Sequence, residues 1–392
     1  MTEWQTERIH GQESFRLKTK LVELALTQIG GHLAPVTFFP GEPNPITPYA
    51  IAPWAEEVPA PGTPRVITVL RGDWFCSAFG VNAEPCEGRQ LPLHGETANS
   101  RWGAIARGKS NAGCWLRLGM DLPLQGGSCE ATTALLSGQS VVYQRHDLRG
   151  LSGPVNPGHH ATLAFPNIEG AGRLSFSRVL YSQTYLQQTE RPEHGGYSWL
   201  RADTEIKDLR AVPCIDGSTT DLYRYPVRRG FEDIVILCSD PTSAFAWSAV
   251  TFREQGFVWF SLRDPKQLAS TLLWFSNGGR YYEPWNGRHV NVLGIEDMTG
   301  FFHVGLAASC RSNPLSERGI RTCLEPNAEG DLSISYIQGV ARIPSEFDAV
   351  AAIQPQENGE GVLMHSESGV TVELPCEIGF LNDGLLGAMD VR

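Results

Sequence analysis

Forty-one glycines and 26 prolines are spread along the whole of this 392-residue chain. Proline removes a backbone donor and glycine weakens a helix interior, so this punctuation favours many short strands over long helices. Between the turns, apolar and polar residues alternate. Leu174 and Phe176 alternate with serines, as do Leu332, Ile334 and Tyr336, and Val370, Val372 and Leu374 alternate with Thr371 and Glu373. Each is the period-two pattern of a half-buried strand. The denser runs Val66–Leu70, Ile234–Leu237, Phe257–Leu262 and Leu272–Phe275 read as interior strands. Ser345-Glu-Phe-Asp348 fits either a capping box or the start of a strand after Pro344. No repeat, low-complexity tract or linker divides the chain. The expected fold is therefore all-β: a single domain over residues 1–392, built as one large sandwich of packed antiparallel sheets.

Hydrophobic residues make up 41% of the chain and charged residues 19%, enough apolar material for a large core. The formal charge of −11 disfavours nucleic acid and anionic membrane as partners. No apolar run of about 18 residues is present, so no membrane span is expected. The N-terminal MTEWQTERIHGQESFRLKTK contains no apolar core of a signal peptide, which points to the cytoplasm. The nine cysteines are scattered without a CxxC pair and read as reduced thiols. The oligomeric state is left open.

Four segments carry residues suited to chemistry. In LRGDWFCSAFG, Arg71 follows an apolar run at a glycine turn, where either binding or pairing with Asp73 would suit it. In PLHGETANSRW, His94 precedes a glycine that permits close ligand approach, and Trp102 offers an apolar face; taken alone, a structural histidine fits equally. In GPVNPGHHATLAFP, His159 and His160 are adjacent, so on a strand they face opposite sides and make a poor pair of metal ligands. In EPWNGRHVNVLGIEDMTGFF, Glu296 ends an apolar run, where desolvation raises a carboxyl pKa and strengthens it as a base. The plainer alternative is a buried glutamate paired with Arg280 or Arg288. Asp221 lies between the third and fourth segments.

In this order, Arg71, His94, His160, Asp221 and Glu296 resemble the functional residues of the galactose mutarotase (aldose 1-epimerase) superfamily. His94-Gly95 to Trp102 is similar to the HGxxxxxxW stretch of hexose-phosphate epimerase relatives. Gly158-His159-His160 resembles the second histidine motif, DLYRYPVRRGFEDIVIL a DFR-like segment, and NVLGIED the strand of the catalytic glutamate. LVELALTQIGGHLAPVTF resembles the family's first hairpin with its Gly-Gly turn. The resemblance spans roughly residues 20 to 380. GHHATLAF stands where galactose mutarotases have NHxYF, DFR reads Asp-Leu-Tyr-Arg, and the segment 46–57 has no counterpart role.

The resemblance implies interconversion of the anomers of a free sugar or sugar derivative, phosphorylated or not, without metal or cofactor. Glu296 would act as base and His160 as acid, with Arg71, His94 and Asp221 binding hydroxyls. Trp274, Tyr281 and Trp285 would form a stacking wall, although core packing explains each aromatic equally well. The implied partner is a small-molecule carbohydrate. A non-catalytic carbohydrate-binding protein on the same fold is the main alternative. A glycosidase would need a second carboxylate flanking the bond, and Asp297, next to Glu296 on a strand, would face away.

Overall fold

The computed structural model describes residues 5–357 and 359–387; the remaining positions of the span 1–392 lie outside the described residues. The architecture is all-β. A seven-stranded sheet runs in the order Val179–Thr184, Phe231–Ser239, Ser270–Asn277, Val292–Met298, Gly158–His159 and Phe75–Cys76, with Ala161–Ala164 also paired to Val292–Met298. A nine-stranded sheet has Ala246–Phe252, Phe257–Arg263, Leu332–Arg342 and Val141–Arg149 at its centre and Gly103–Ser110 at one edge. An N-terminal four-stranded meander and a C-terminal three-stranded one flank them. Among the described residues no helix is long and apolar enough to cross a membrane.

The period-two pattern determines which core each side chain joins. On Phe231–Ser239, Val235 and Leu237 join the main core with Trp259, Ile334 and Tyr336 of the larger sheet. Their neighbours Ile234, Ile236 and Cys238 join a separate cluster with Trp74, Trp274 and Trp285 on the outer face of the smaller sheet. The outer face of the larger sheet is covered by a third cluster, which packs Phe260 and Leu262 with Val350, Met364 and Phe380. Both faces of the central strands are thus covered. This is why Phe257–Arg263, Ser270–Asn277 and Val292–Met298 are buried along their whole length, while the edge strand Gly103–Ser110 alternates with solvent.

The first hairpin pairs Val22–Thr27 with Leu33–Phe38 around Gly30 and Gly31, whose φ angles of 73° and 61° suit glycine. Two sequence expectations are corrected. Val66–Leu70 is not a strand: Arg65–Thr68 forms one helical turn after Pro64, and Asn99 Oδ1 accepts from the Val66 N–H at 3.0 Å. A short apolar run after proline fits a buried helical turn as well as a strand. The nine cysteines are not all thiols: Cys310 and Cys323, 13 residues apart, form a disulfide, and the other seven are free and buried. Ser345–Asp348 forms no helix and leads into the strand Val350–Pro355.

Candidate active site

The outer face of the smaller sheet forms the floor of a cavity of about 300 Å³. Gly158 pairs with Met298 and Ala161 with Ile295, a register that sets His160 directly across from Glu296. On the other side of Glu296 the cross-strand partner is Leu272. Trp74 continues the row, since its carbonyl accepts the His160 N–H at 3.0 Å and its ring stacks on the His160 ring at 4.0 Å. A row of Trp74, His160, Glu296 and Leu272 therefore crosses four neighbouring strand positions, all facing the cavity.

His160 Nε2 lies 3.2 Å from Glu296 Oε1, and both side chains are almost wholly buried. Desolvation pushes the Glu296 carboxyl well above its ordinary value, and the positive charge of Arg280 opposes this only in part. Burial likewise holds His160 well below 6.5, reinforced by His94. Both shifts favour a neutral pair sharing one proton. Space for the carboxyl comes from Gly294, two residues earlier on the same face: a Cβ there would stand 2.6 Å from Glu296 Oε1 and 3.0 Å from Trp274 Cβ.

His94 reaches the cavity from a loop, with its ring centroid 5.0 Å from that of His160. The loop is tight. His94 has a φ of 60°, and a Cβ on Gly95 would meet the Ala78 backbone nitrogen at 2.7 Å. His94 Nδ1 accepts the Gly80 N–H at 3.3 Å, which leaves Nε2 as the protonated nitrogen of the neutral ring. Burial lowers its pKa to about 3.

Trp274 and Trp285 line the cavity with their rings perpendicular, 5.9 Å apart. The Arg280 guanidinium lies over both, 4.5 Å from the Trp285 ring and 5.4 Å from the Trp274 ring. Arg280 Nε donates to Glu190 Oε1 at 2.6 Å, and the Tyr282 hydroxyl donates to the same oxygen at 3.0 Å. Behind this wall, buried Glu232 accepts the Trp274 indole N–H at 2.9 Å and the Ser276 hydroxyl at 3.0 Å, and burial raises its pKa to about 7. The segment 46–57 acquires a role here. Trp54 packs edge-on against Trp285 at 4.8 Å and anchors its indole on the Ile67 carbonyl at 2.7 Å.

The structure thus brings Glu296, His160, His94, Trp274 and Trp285 to one cavity. It does not bring Arg71, Asp221 or Tyr281 there. Arg71 is fully buried and donates to the carbonyls of Val69, Ile9 and His10, so its charge ties the N-terminal hairpin to the loop before the sheet. Asp221 closes an Asx turn by accepting the Tyr223 N–H at 2.9 Å and lies 3.7 Å from Arg224. Tyr281 is exposed against Tyr197, and its neighbour Tyr282 takes the cavity position. Trp102 is buried in the main core, its indole on the Thr97 carbonyl.

His159 faces the other way, into the main core. Its Nδ1 is 2.9 Å from Asp73 Oδ2 and its ring stacks on Tyr336 at 4.0 Å. Neither arginine considered for Glu296 pairs with it: Arg280 takes Glu190, and Arg288 takes Glu57. Sequence reasoning did not assign Trp74, Arg280, Tyr282 or His303 to the site. Trp74 lies in the segment already singled out for Arg71, and Arg280 and Tyr282 flank Tyr281, so proximity in sequence was the available signal.

No family model matches the chain, and no curated protein matches it. Solved structures do. A galactose mutarotase-like protein from Clostridium acetobutylicum is similar over 86% of this chain and 98% of its own, with 11% identity and a TM-score of 0.55. A protein named as a candidate aldose 1-epimerase from Klebsiella pneumoniae covers 86% of this chain and 80% of its own, with 12% identity and a TM-score of 0.57. A galactose mutarotase related enzyme from Lactobacillus acidophilus covers 84% and 99%, with 7% identity and a TM-score of 0.52. At these identities the likeness speaks to architecture, and it establishes that this chain has the galactose mutarotase-like fold.

Proposed function

We propose that the chain is an aldose 1-epimerase-like isomerase that interconverts the anomers of a free sugar through Glu296 and His160. The observation that carries this reading is the buried carboxyl–imidazole pair, 3.2 Å apart, on the floor of a cavity walled by tryptophans. In ring opening, one member of the pair takes the proton of the anomeric hydroxyl while the other protonates the ring oxygen. The C1–O5 bond breaks, leaving an open-chain aldehyde. After rotation about C1–C2, the O5 hydroxyl adds to the other face of the carbonyl and both protons return. Glu296 is assigned as base and His160 as acid in opening, and the two exchange roles in closure. Before opening, the shared proton passes from Glu296 to His160 over the contact already present, so that carboxylate and imidazolium are the forms that react. His94 supports the reading as a neutral donor, and the tryptophan faces suit the C–H surface of a sugar ring.

The direct test is saturation-transfer NMR between anomers of free sugars, with wild-type protein expected to accelerate exchange. Binding without exchange would favour the alternative of a carbohydrate-binding protein, a reading supported by the engagement of Arg71 and Asp221 elsewhere.

The pH profile tests the pair itself. The working state holds one proton. Adding a second requires protonating His160, which burial holds well below 6.5. Losing the shared proton requires ionising Glu296, whose pKa burial holds well above 4.5. The expected kcat/KM profile has an acid limb below the ordinary histidine value and an alkaline limb above the ordinary carboxyl value. An acid inflection at 6.5 would show that His160 is not desolvated in the working protein.

Gly294→Ala tests the geometry. The added methyl group displaces the Glu296 carboxyl toward the cavity, and turnover is expected to fall by about 10²-fold for a shift of the order of 1 Å. The unfolding midpoint is expected to fall as well, because the methyl group also stands 3.0 Å from Trp274 Cβ in a buried strand, so turnover is read per folded molecule. Unchanged turnover would mean that the carboxyl position is not critical.

A further inference from the structure

A pyranose ordinarily presents a hydroxyl on nearly every ring carbon, and each hydroxyl both donates and accepts hydrogen bonds. A site for such a sugar must answer most of them, since an unpaired hydroxyl against hydrocarbon is disfavoured. The groups that can answer them here, Trp74, His94, His160, Arg280, Tyr282, Glu296 and His303, share the lining with a stretch of hydrocarbon. Arg71 and Asp221, the polar residues that the order of motifs assigned to hydroxyls, are engaged elsewhere. Val66, Ile67 and Leu70 enter the wall from the helical turn and the residues after it, and Ile234 and Leu272 enter from the sheet floor. The placement of Leu272 is the most telling. It is the cross-strand partner of Glu296 on the side away from His160, and Ile234 is the partner of Trp274 in the same sheet. A ring seated over the Glu296–His160 pair therefore meets hydrocarbon immediately beside its reacting carbon.

Charge narrows the choice further. Among the described residues of the lining, Arg280 is the one lysine or arginine. Its Nε is held by Glu190, its face lies on two tryptophans, and the Glu232 carboxyl is close behind them. The cavity has no surplus positive charge with which to hold a phosphate or carboxylate.

Building on the epimerase reading, we propose that the substrate is an uncharged deoxy sugar, with a hydrogen or methyl group in place of a hydroxyl where the ring faces Leu272, Ile234 and the Val66–Leu70 wall. The cavity volume of about 300 Å³ is at the small end for ligand sites, which matches a monosaccharide.

The test compares sugars in pairs: 6-deoxygalactose with galactose, rhamnose with mannose, 2-deoxyglucose with glucose, and glucose 6-phosphate as the charged member. Anomer exchange is read by saturation transfer, and binding by quenching of tryptophan fluorescence from Trp74, Trp274 and Trp285, which line the cavity. At least one deoxy sugar is expected to exceed its parent by about tenfold or more in kcat/KM, the usual discrimination for a methyl-sized apolar contact, with the phosphate poorest. Equal or better exchange and binding by the parent in every pair, or a preference for the phosphate, would overturn the proposal. Preferential binding of a deoxy sugar without exchange would uphold this ligand class and overturn the epimerase reading. No binding by any member would overturn both. Val66→Thr keeps the side-chain shape and adds one hydroxyl, and is expected to shrink the deoxy-to-parent ratio. An unchanged ratio in the folded variant would remove this wall from the discrimination and overturn its assignment.

Discussion

Glu296→Gln is expected to lower kcat for anomer exchange by at least about 10²-fold, the usual contribution of a general base. The amide keeps the shape of the carboxylate but can neither take the anomeric proton nor return it. It still hydrogen-bonds, so KM should change far less than kcat, the signature of an interaction made in the transition state. Burial makes the effect large, since Glu296 and His160 are both almost wholly buried and bulk water is poorly placed to replace either group. His160→Asn should give a similar loss, and the double variant little more than either single one, because the two groups act as a unit. His159→Asn is a useful contrast. That side chain lies on the other face, stacked on Tyr336 and bonded to Asp73, so its loss should lower stability more than turnover. Near-normal exchange in Glu296→Gln would remove the carboxylate from the mechanism.

The part of this architecture legible in the sequence is the part governed by side-chain period. Ile234–Leu237, Phe257–Leu262 and Leu272–Phe275 all lie in strands buried on both faces, as their dense apolar runs require. The opposite facing of His159 and His160 follows from the same alternation. What escaped depends on local chain geometry that period does not encode. Val66–Leu70 has the composition of a strand, but after Pro64 it closes a helical turn, and so supplies an apolar wall of the cavity. Arg71 and Asp221 have suitable chemistry and order, but backbone carbonyls and an Asx turn hold them away from the site. At Tyr281 and Tyr282 the error is one residue, and outside a regular strand nothing in the sequence determines which of two adjacent aromatics turns inward. The Cys310–Cys323 disulfide joins the end of the short helix Leu306–Cys310 to a loop residue, a proximity only the folded chain reveals.

Asp297→Asn should produce the largest loss of stability. Asp297 is adjacent to Glu296 but faces the main core, where it is 0% exposed. It lies 2.8 Å from Arg263 Nη1 and accepts hydroxyls from Ser261 at 2.6 Å, Thr271 at 2.7 Å and Tyr336 at 2.9 Å. Arg263, 1% exposed, also donates to the Leu268 carbonyl and the Ser239 hydroxyl. These bonds clamp the two large sheets together, since Thr271 belongs to the smaller sheet and Ser261, Arg263 and Tyr336 to the larger. Removing the carboxylate leaves a guanidinium charge buried without its counter-ion, which costs about 3–5 kcal/mol in comparable pairs. Urea unfolding should show a lower midpoint at an unchanged slope. Replacing both partners, with Arg263→Met added to Asp297→Asn, should recover much of the loss because no lone charge remains. Asp297→Asn within about 1 kcal/mol of wild type, the range of an exposed pair, would show that water reaches Arg263 in the native state. The same arrangement makes Asp297→Asn an unsuitable activity control for Glu296→Gln unless rates are corrected for the folded fraction. Once they are, exchange per folded molecule should persist, because the two neighbouring carboxylates serve opposite faces of one strand.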